Sequence, residues 1–172
     1  MAKSSTPILV SACLLGHPTR YDGHHAHCMH PVLQQWIQEA RVLSLCPEQV
    51  AGLPTPRPAM EIEPSHDGID VWAGRAVVRD QEENCHTAFF ISGAQAALDI
   101  VRETGIRIAV LKEGSPSCGS SFIADGQFVG RRVMGQGVTA AALRSVGVQV
   151  FSEHQLDQAA AWLMECEHSQ QV

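Results

Sequence analysis

The chain has 172 residues, 45% of them hydrophobic, which suits one domain over 1–172 with a core that needs no crosslinks. A formal net charge of −6, with only 12 lysines and arginines scattered along the chain, excludes the basic footprint on which nucleic-acid binding rests. No apolar run approaches the ~20 residues of a membrane span.

The opening, M-A-K-S-S-T-P, carries no secretory apolar region, so a cytoplasmic location is expected. There the six cysteines read as free thiols, metal ligands or catalytic groups rather than as a disulfide framework. A small-molecule partner is expected, with neither nucleic acid nor membrane.

Pro7 to Ala12 is a short apolar, partly β-branched run that predicts a buried strand. It ends at Cys13, and a loop follows with Gly16, Pro18 and the turn signal Asp22-Gly23. The stretch H-H-A-H-C-M-H, from His24 to His30, holds four histidines and Cys28. It lacks the paired spacing of a zinc site and reads as a polar loop entering a helix.

That helix is predicted over Pro31 to Ala40, with proline at its first position and Val32, Leu33, Trp36 and Ile37 as its apolar stripe. Val42 to Leu45 is the second strand and delivers Cys46-Pro47-Glu48. The loop A-G-L-P-T-P-R-P-A stays extended through Arg57. Glu61 to Val78 predicts a β-hairpin turning near Asp67-Gly68.

A second helix is predicted from Thr87 to Glu103, stopped by Gly105. Ile106 to Leu111 is the third strand. It leads into the most distinctive stretch of the chain, L-K-E-G-S-P-S-C-G-S-S-F, a Pro/Ser/Gly-rich turn that presents Cys118 between Ser115, Ser117 and Ser120. Phe122 to Val133 carries two more turn signals. Gly137 to Val146 forms a third helix, Val148 to Phe151 a fourth strand, and Glu153 to Cys166 a terminal helix.

Strands alternating with helices, joined by right-handed crossovers, predict a three-layer α/β fold. Its centre is an open parallel sheet of flavodoxin-like or Rossmann-like type, with a small β-hairpin insertion. In such a sheet all carboxyl ends lie on one edge. Cys13, Cys46 and Cys118, each just past a strand, therefore converge on one crevice, whereas Cys28, Cys85 and Cys166 do not share this placement.

Three soft thiolates suit a zinc ion with an open position or a [4Fe–4S] cluster with one iron free, and the spacing does not choose between them. No G-x-G-x-x-G or phosphate-loop pattern is present, so no nucleotide cofactor is expected. Two further alternatives are a cofactor-free thiol enzyme with Cys118 as nucleophile, served by a histidine of 24–30, and a zinc-stabilised binding module without turnover.

The motifs S-A-C-L-L-G, R-Y-D-G, C-P-E, G-L-P-T-P-R-P and K-E-G-S-P-S-C-G-S, with the later D-G-Q-F, G-Q-G-V-T-A-A-A-L-R and V-F-S-E, resemble those of one family. It is called domain of unknown function 523 and includes the 2-thiouracil desulfidases. The resemblance runs from about residue 7 to 153.

It implies a [4Fe–4S] cluster held by Cys13, Cys46 and Cys118, with the remaining iron open to the sulfur of a thiolated pyrimidine. It further implies hydrolytic C–S cleavage without net redox, with Glu48 as general base and Ser115 and Ser117 hydrogen-bonding the substrate or the leaving sulfur. Arg20 and Arg57 are read either as loop-pinning partners of carboxylates or as substrate contacts. Asp22 and Asp125 are read as turn residues.

Overall fold

A computed structural model describes residues 5–169. Its centre is strand β1 (Ile8–Ser11), whose Ile8, Leu9 and Val10 are wholly buried. A strand buried on both faces reads as a continuous apolar run, as this one does. β1 pairs in parallel with β2 (Val42–Leu45) on one side.

On its other side β1 pairs in parallel with β5 (Ile108–Leu111), which in turn pairs with β8 (Gln149–Ser152). The sheet order is β2-β1-β5-β8, the order that opens a flavodoxin-like sheet. The predicted α/β architecture is thus borne out.

Side chains alternate across this sheet and define two cores. Ile8, Val10, Ile108 and Val110 face helices α1 (Pro31–Gln38) and α6 (Leu156–Ser169), meeting Leu33, Trp36, Leu156 and Leu163. Leu9, Ala109, Leu111 and Val150 face α4 (Thr87–Thr104) and α5 (Val138–Ser145), meeting Phe90, Ala94, Ala97 and Leu143. At the start of α1, Pro31 occupies the first turn and His30 Nδ1 accepts the N–H of Val32 at 3.2 Å. One histidine of the His-rich stretch is therefore a helix cap.

The insertion differs from its predicted form. Met60–Ile62 (β3) and Val78–Asp80 (β4) do pair antiparallel. Asp67-Gly68, however, opens a short helix, α3 (Gly68–Trp72), in place of a hairpin turn. Asp67 Oδ1 accepts the N–H of Ile69 at 2.9 Å, the bond by which an aspartate starts a helix.

Val71 is buried against the α4–α5 side. A run as short as I-D-V-W satisfies the strand period and one helical turn equally well, so burial decided it. A second antiparallel pair, Phe122–Ala124 (β6) with Arg132–Met134 (β7), stands where the sequence predicts only turns. The terminal helix begins at Leu156, which leaves Glu153 outside it. Among the described residues no helix is long and apolar enough to cross a membrane.

A one-turn helix, α2 (Pro47–Val50), carries Glu48 and lies directly against α4. The approach is so close that a Cβ on Gly93 would stand 2.3 Å from the carbonyl oxygen of Pro47. Alanine is intrinsically better than glycine inside a helix by about 1 kcal/mol. Here overpacking against rigid backbone outweighs that gain, and Gly93→Ala is expected to lower stability by about 1–3 kcal/mol. Denaturant unfolding checks this; an unchanged or raised midpoint contradicts the packing described.

Candidate active site

β1 sends one connection to β2 and β5 lies on its opposite side, so the chain leaves a crevice outside their carboxyl ends. The structure has a cleft of about 370 Å³ there. It is lined by Ser11 and Cys13 from the end of β1, Cys46 and Glu48 from the end of β2, and Ser115, Ser117 and Cys118 from the loop after β5. All six sequence-predicted site residues thus meet in one place. Cys28, Cys85 and Cys166 are not among the residues lining it.

Cys13 sits on a 3₁₀ turn, Ala12–Leu15, that continues β1. Cys13 and Cys118 are buried, and Cys46 is half-buried. Burial pushes the Cys118 thiol up to about 12, opposed by a hydrogen bond from Ser11 and reinforced by the Cys46 and Cys13 sulfurs. Burial likewise raises Cys13 to about 11, with Cys46 adding to the rise and Lys112 and Arg20 opposing it. The three sulfurs therefore lie within electrostatic reach of one another.

Glu48 is buried at the start of α2, 8% exposed. Arg57 Nε donates to its Oε2 at 2.6 Å, and Nη2 lies 2.5 Å from the same oxygen in an ion pair. Arg57 also donates to the Thr19 carbonyl at 2.9 Å and to the Pro54 carbonyl at 3.2 Å. One guanidinium thus ties Glu48 to two loops. The loop-pinning reading of Arg57 describes its contacts, and the fork geometry is one that lysine does not reproduce.

The other carboxylate oxygen, Oε1, accepts the hydroxyl of Ser117 at 2.9 Å. Ser117 Oγ lies 3.7 Å from Cys118 Sγ and 3.1 Å from Ser115 Oγ. A hydroxyl has one proton to give. With that of Ser117 on Glu48, the Ser115 contact is filled by the Ser115 proton, which forms a chain from Ser115 through Ser117 to Glu48. Ser115 Oγ in turn accepts the N–H groups of Ser117 and Cys118 at 3.1 and 3.2 Å.

The remaining predicted features fall outside this constellation or at its margin. Arg20 borders the cleft. Asp22 Oδ1 accepts the N–H of His24 at 3.0 Å, and Asp125 Oδ1 that of Gln127 at 3.0 Å, so both serve turns. His24, His25, His27 and His30 do not line the cleft. Among the described residues no three His, Cys, Asp or Glu side chains are grouped to hold a single metal ion.

Sequence reasoning missed two groups. Lys112 borders the cleft and pairs with Glu153 at 2.6 Å, and Glu113 is buried inside the Cys118 loop. The signal for both was the doublet Lys112-Glu113 at a strand end, where charged residues are unusual unless partnered.

The model of the 2-thiouracil desulfurase family matches residues 8–155 of this chain. The protein YbbK of Bacillus subtilis (strain 168) is 39% identical over 150 residues, covering 87% of this chain and 97% of that protein. A solved structure of TudS, a [4Fe-4S]-dependent thiouracil desulfidase, is 44% identical. It covers 93% of this chain and 99% of that one with a TM-score of 0.84. Sequence match and shared architecture agree: this chain belongs to the 2-thiouracil desulfurase family of enzymes.

Proposed function

We propose that this chain removes sulfur hydrolytically from a thiolated pyrimidine such as 2-thiouracil. In this reading Cys13, Cys46 and Cys118 hold a [4Fe–4S] cluster that has one iron left open. The observation that carries it is the meeting of three buried or half-buried thiols with a buried carboxylate in one cleft. The likeness to a [4Fe-4S]-dependent thiouracil desulfidase supports it.

The donor set fits the cluster. Thiolates are its usual ligands, and the neighbouring sulfurs add to the cost of ionising Cys13 and Cys118, a cost that a cationic metal group offsets by holding thiols deprotonated. A single zinc ion needs its thiolates drawn in to ~2.3 Å from one point, and no such grouping exists among the described residues.

When bound, the cluster supplies a Lewis-acidic iron to the thiocarbonyl sulfur, which makes the attached carbon electrophilic. The chain supplies the rest. One water adds to that carbon, the C–S bond breaks, and sulfur leaves as hydrosulfide, so thiocarbonyl becomes carbonyl without change of redox state.

The water must lose a proton, and Glu48 Oε1 is the acceptor. Oε2 is committed to Arg57, so the proton travels by Oε1, where the Ser117 hydroxyl already donates. Ser117 passes its proton to Glu48 as it takes one from the water. Ser115 acts through Ser117, holding it at 3.1 Å and fixing the amide of Cys118.

The cofactor-free thiol enzyme fits less well. A nucleophilic cysteine needs a depressed pKa or an adjacent base. Cys118 has a raised pKa and no histidine lines its cleft. With iodoacetamide at pH 8, cluster-free protein is expected to alkylate first at exposed Cys85, whose thiol is lowered by its hydrogen bonds to Thr87. Cys118 should react last; fastest alkylation at Cys118 would favour the thiol enzyme.

For the ligands, Cys13→Ala, Cys46→Ala and Cys118→Ala are each expected to lose most of the iron, whereas Cys28→Ala, Cys85→Ala and Cys166→Ala keep it. Full iron in Cys118→Ala refutes the ligand set. For the base, Glu48→Gln keeps one acceptor oxygen, for Arg57, and turns its NH₂ toward the Ser117 oxygen, but takes up no proton. Its iron content is expected to hold and turnover to fall roughly 10²–10⁴-fold, with some loss of stability because Arg57 stays buried opposite a neutral amide. Turnover equal to the unaltered protein shows that Glu48 is not the base, and loss of iron shows that its carboxylate is structural.

A further inference from the structure

Glu113 immediately follows β5, and its side chain is turned into the loop that bears Ser115, Ser117 and Cys118. It is 8% exposed. Its Oε1 accepts the backbone N–H groups of Gly114 at 3.2 Å, Ser120 at 2.9 Å, Ser121 at 3.0 Å and Phe122 at 3.1 Å. Its Oε2 accepts the Ser120 hydroxyl at 2.7 Å. Burial works against ionisation here, yet the bonds from Ser121, Ser120 and Phe122 hold the carboxyl below its ordinary range. An anion satisfies that many amides where a neutral acceptor does not.

The carbonyls of the same loop are gathered on the opposite side. Val138 donates to Pro116 at 2.9 Å, while Thr139 and Ala140 donate to Ser117 at 2.9 and 3.2 Å. All three donors are free N–H groups of the first turn of α5. Gly137 donates to Gly119 at 2.8 Å, and Arg144 Nη1 to the Ser120 carbonyl at 2.8 Å. The fit is close: a Cβ on Gly137 would stand 2.4 Å from the Ser117 carbonyl carbon. These amides and carbonyls all find protein partners without any contribution from a metal.

We propose that Glu113 is a positioning residue whose carboxylate pre-forms the ligand loop and aims Ser117 and Cys118 into the cleft before a cofactor is bound. This rests on the reading of Cys118 as a cluster ligand. The hydrogen bonds of the carboxylate all go to residues 114 and 120–122 of the loop, so it acts through the loop. In its absence the amides of 120–122 turn elsewhere for acceptors, and the short segment between them and Ser117 loses its fixed direction.

The test compares Glu113→Gln and Glu113→Ala with a matched control, Asp80→Asn. Asp80 is also buried, 4% exposed. It accepts the N–H groups of Glu82 and Asn84 at 2.9 Å each and pairs with His86 at 2.9 Å. It staples a loop in the same manner but does not line the cleft. Iron per chain, visible spectrum and rate of iron loss to a chelator are measured on anaerobically loaded protein. The temperature is one at which circular dichroism shows each variant folded.

Glu113→Gln is expected to lose iron roughly 10–100-fold faster than the unaltered protein, the usual effect of losing an outer partner of a metal ligand. Its spectrum should be altered, and Glu113→Ala should load poorly. Asp80→Asn should lose stability but hold iron as the unaltered protein does. Glu113→Gln matching Asp80→Asn in spectrum and chelation rate overturns the proposal while leaving the ligand assignment intact. Unaltered protein that loads no iron overturns the functional reading, and the proposal with it.

Discussion

Parallel pairing of β1 with β2 on one side and β5 on the other is the constraint from which the site follows. Chain segments leaving three adjacent parallel strands emerge along one edge, and the crossover helices that return the chain occupy the two faces. Strand polarity therefore brings the loops of Cys13, Cys46 and Cys118 to one cleft, although the three are far apart in sequence. The helices then close both faces with apolar cores built on Ile8 and Val10 in one direction and Leu9 in the other. Remove the sheet and no local interaction among the loops would assemble the thiols.

Strand ends fix where the loops begin; buried polar groups fix what they do next. Arg57 joins Glu48 to the Thr19 carbonyl and to its own Pro-rich loop, while Ser117 joins Glu48 to the Cys118 loop. Burying an ion pair costs desolvation that its attraction only partly offsets, whereas stranding one partner costs about 3–5 kcal/mol. Such a pair is thus better understood as specifying a conformation than as a source of stability. It leaves one oxygen of Glu48 directed at the serine hydroxyl, and that commitment gives the proposed proton transfer a direction.

The parts legible in the sequence are those governed by short-range pattern. Apolar β-branched runs such as Ile8-Leu9-Val10 announced buried strands, and Pro31 and Gly105 marked helix ends because their backbone chemistry has few other uses. The convergence of three cysteines was legible because strand polarity brings their loops to one edge. Glu61 to Val78 was less legible. I-D-V-W satisfies two periods, and what decided between them was the packing of Val71 and the approach of Gly68 to Gly137, a Cβ there standing 2.2 Å from that backbone.

The serines could not be ranked from sequence. Ser115 and Ser117 are alike as turn formers, and only the folded loop spends one on backbone amides and sends the other to Glu48. Nothing local in the sequence reveals what Glu113 binds, because its partners lie up to nine residues ahead and are gathered only when the loop closes.

In the proposed reading, three thiols leave one iron of a cluster open to a thiocarbonyl. Mössbauer spectroscopy of anaerobically loaded, ⁵⁷Fe-enriched protein tests it most directly, before and after 2-thiouracil is added. One iron is expected to be distinguishable from the other three, and its signal alone to shift markedly with the thiobase. Four irons that remain equivalent and unmoved by the thiobase would contradict it.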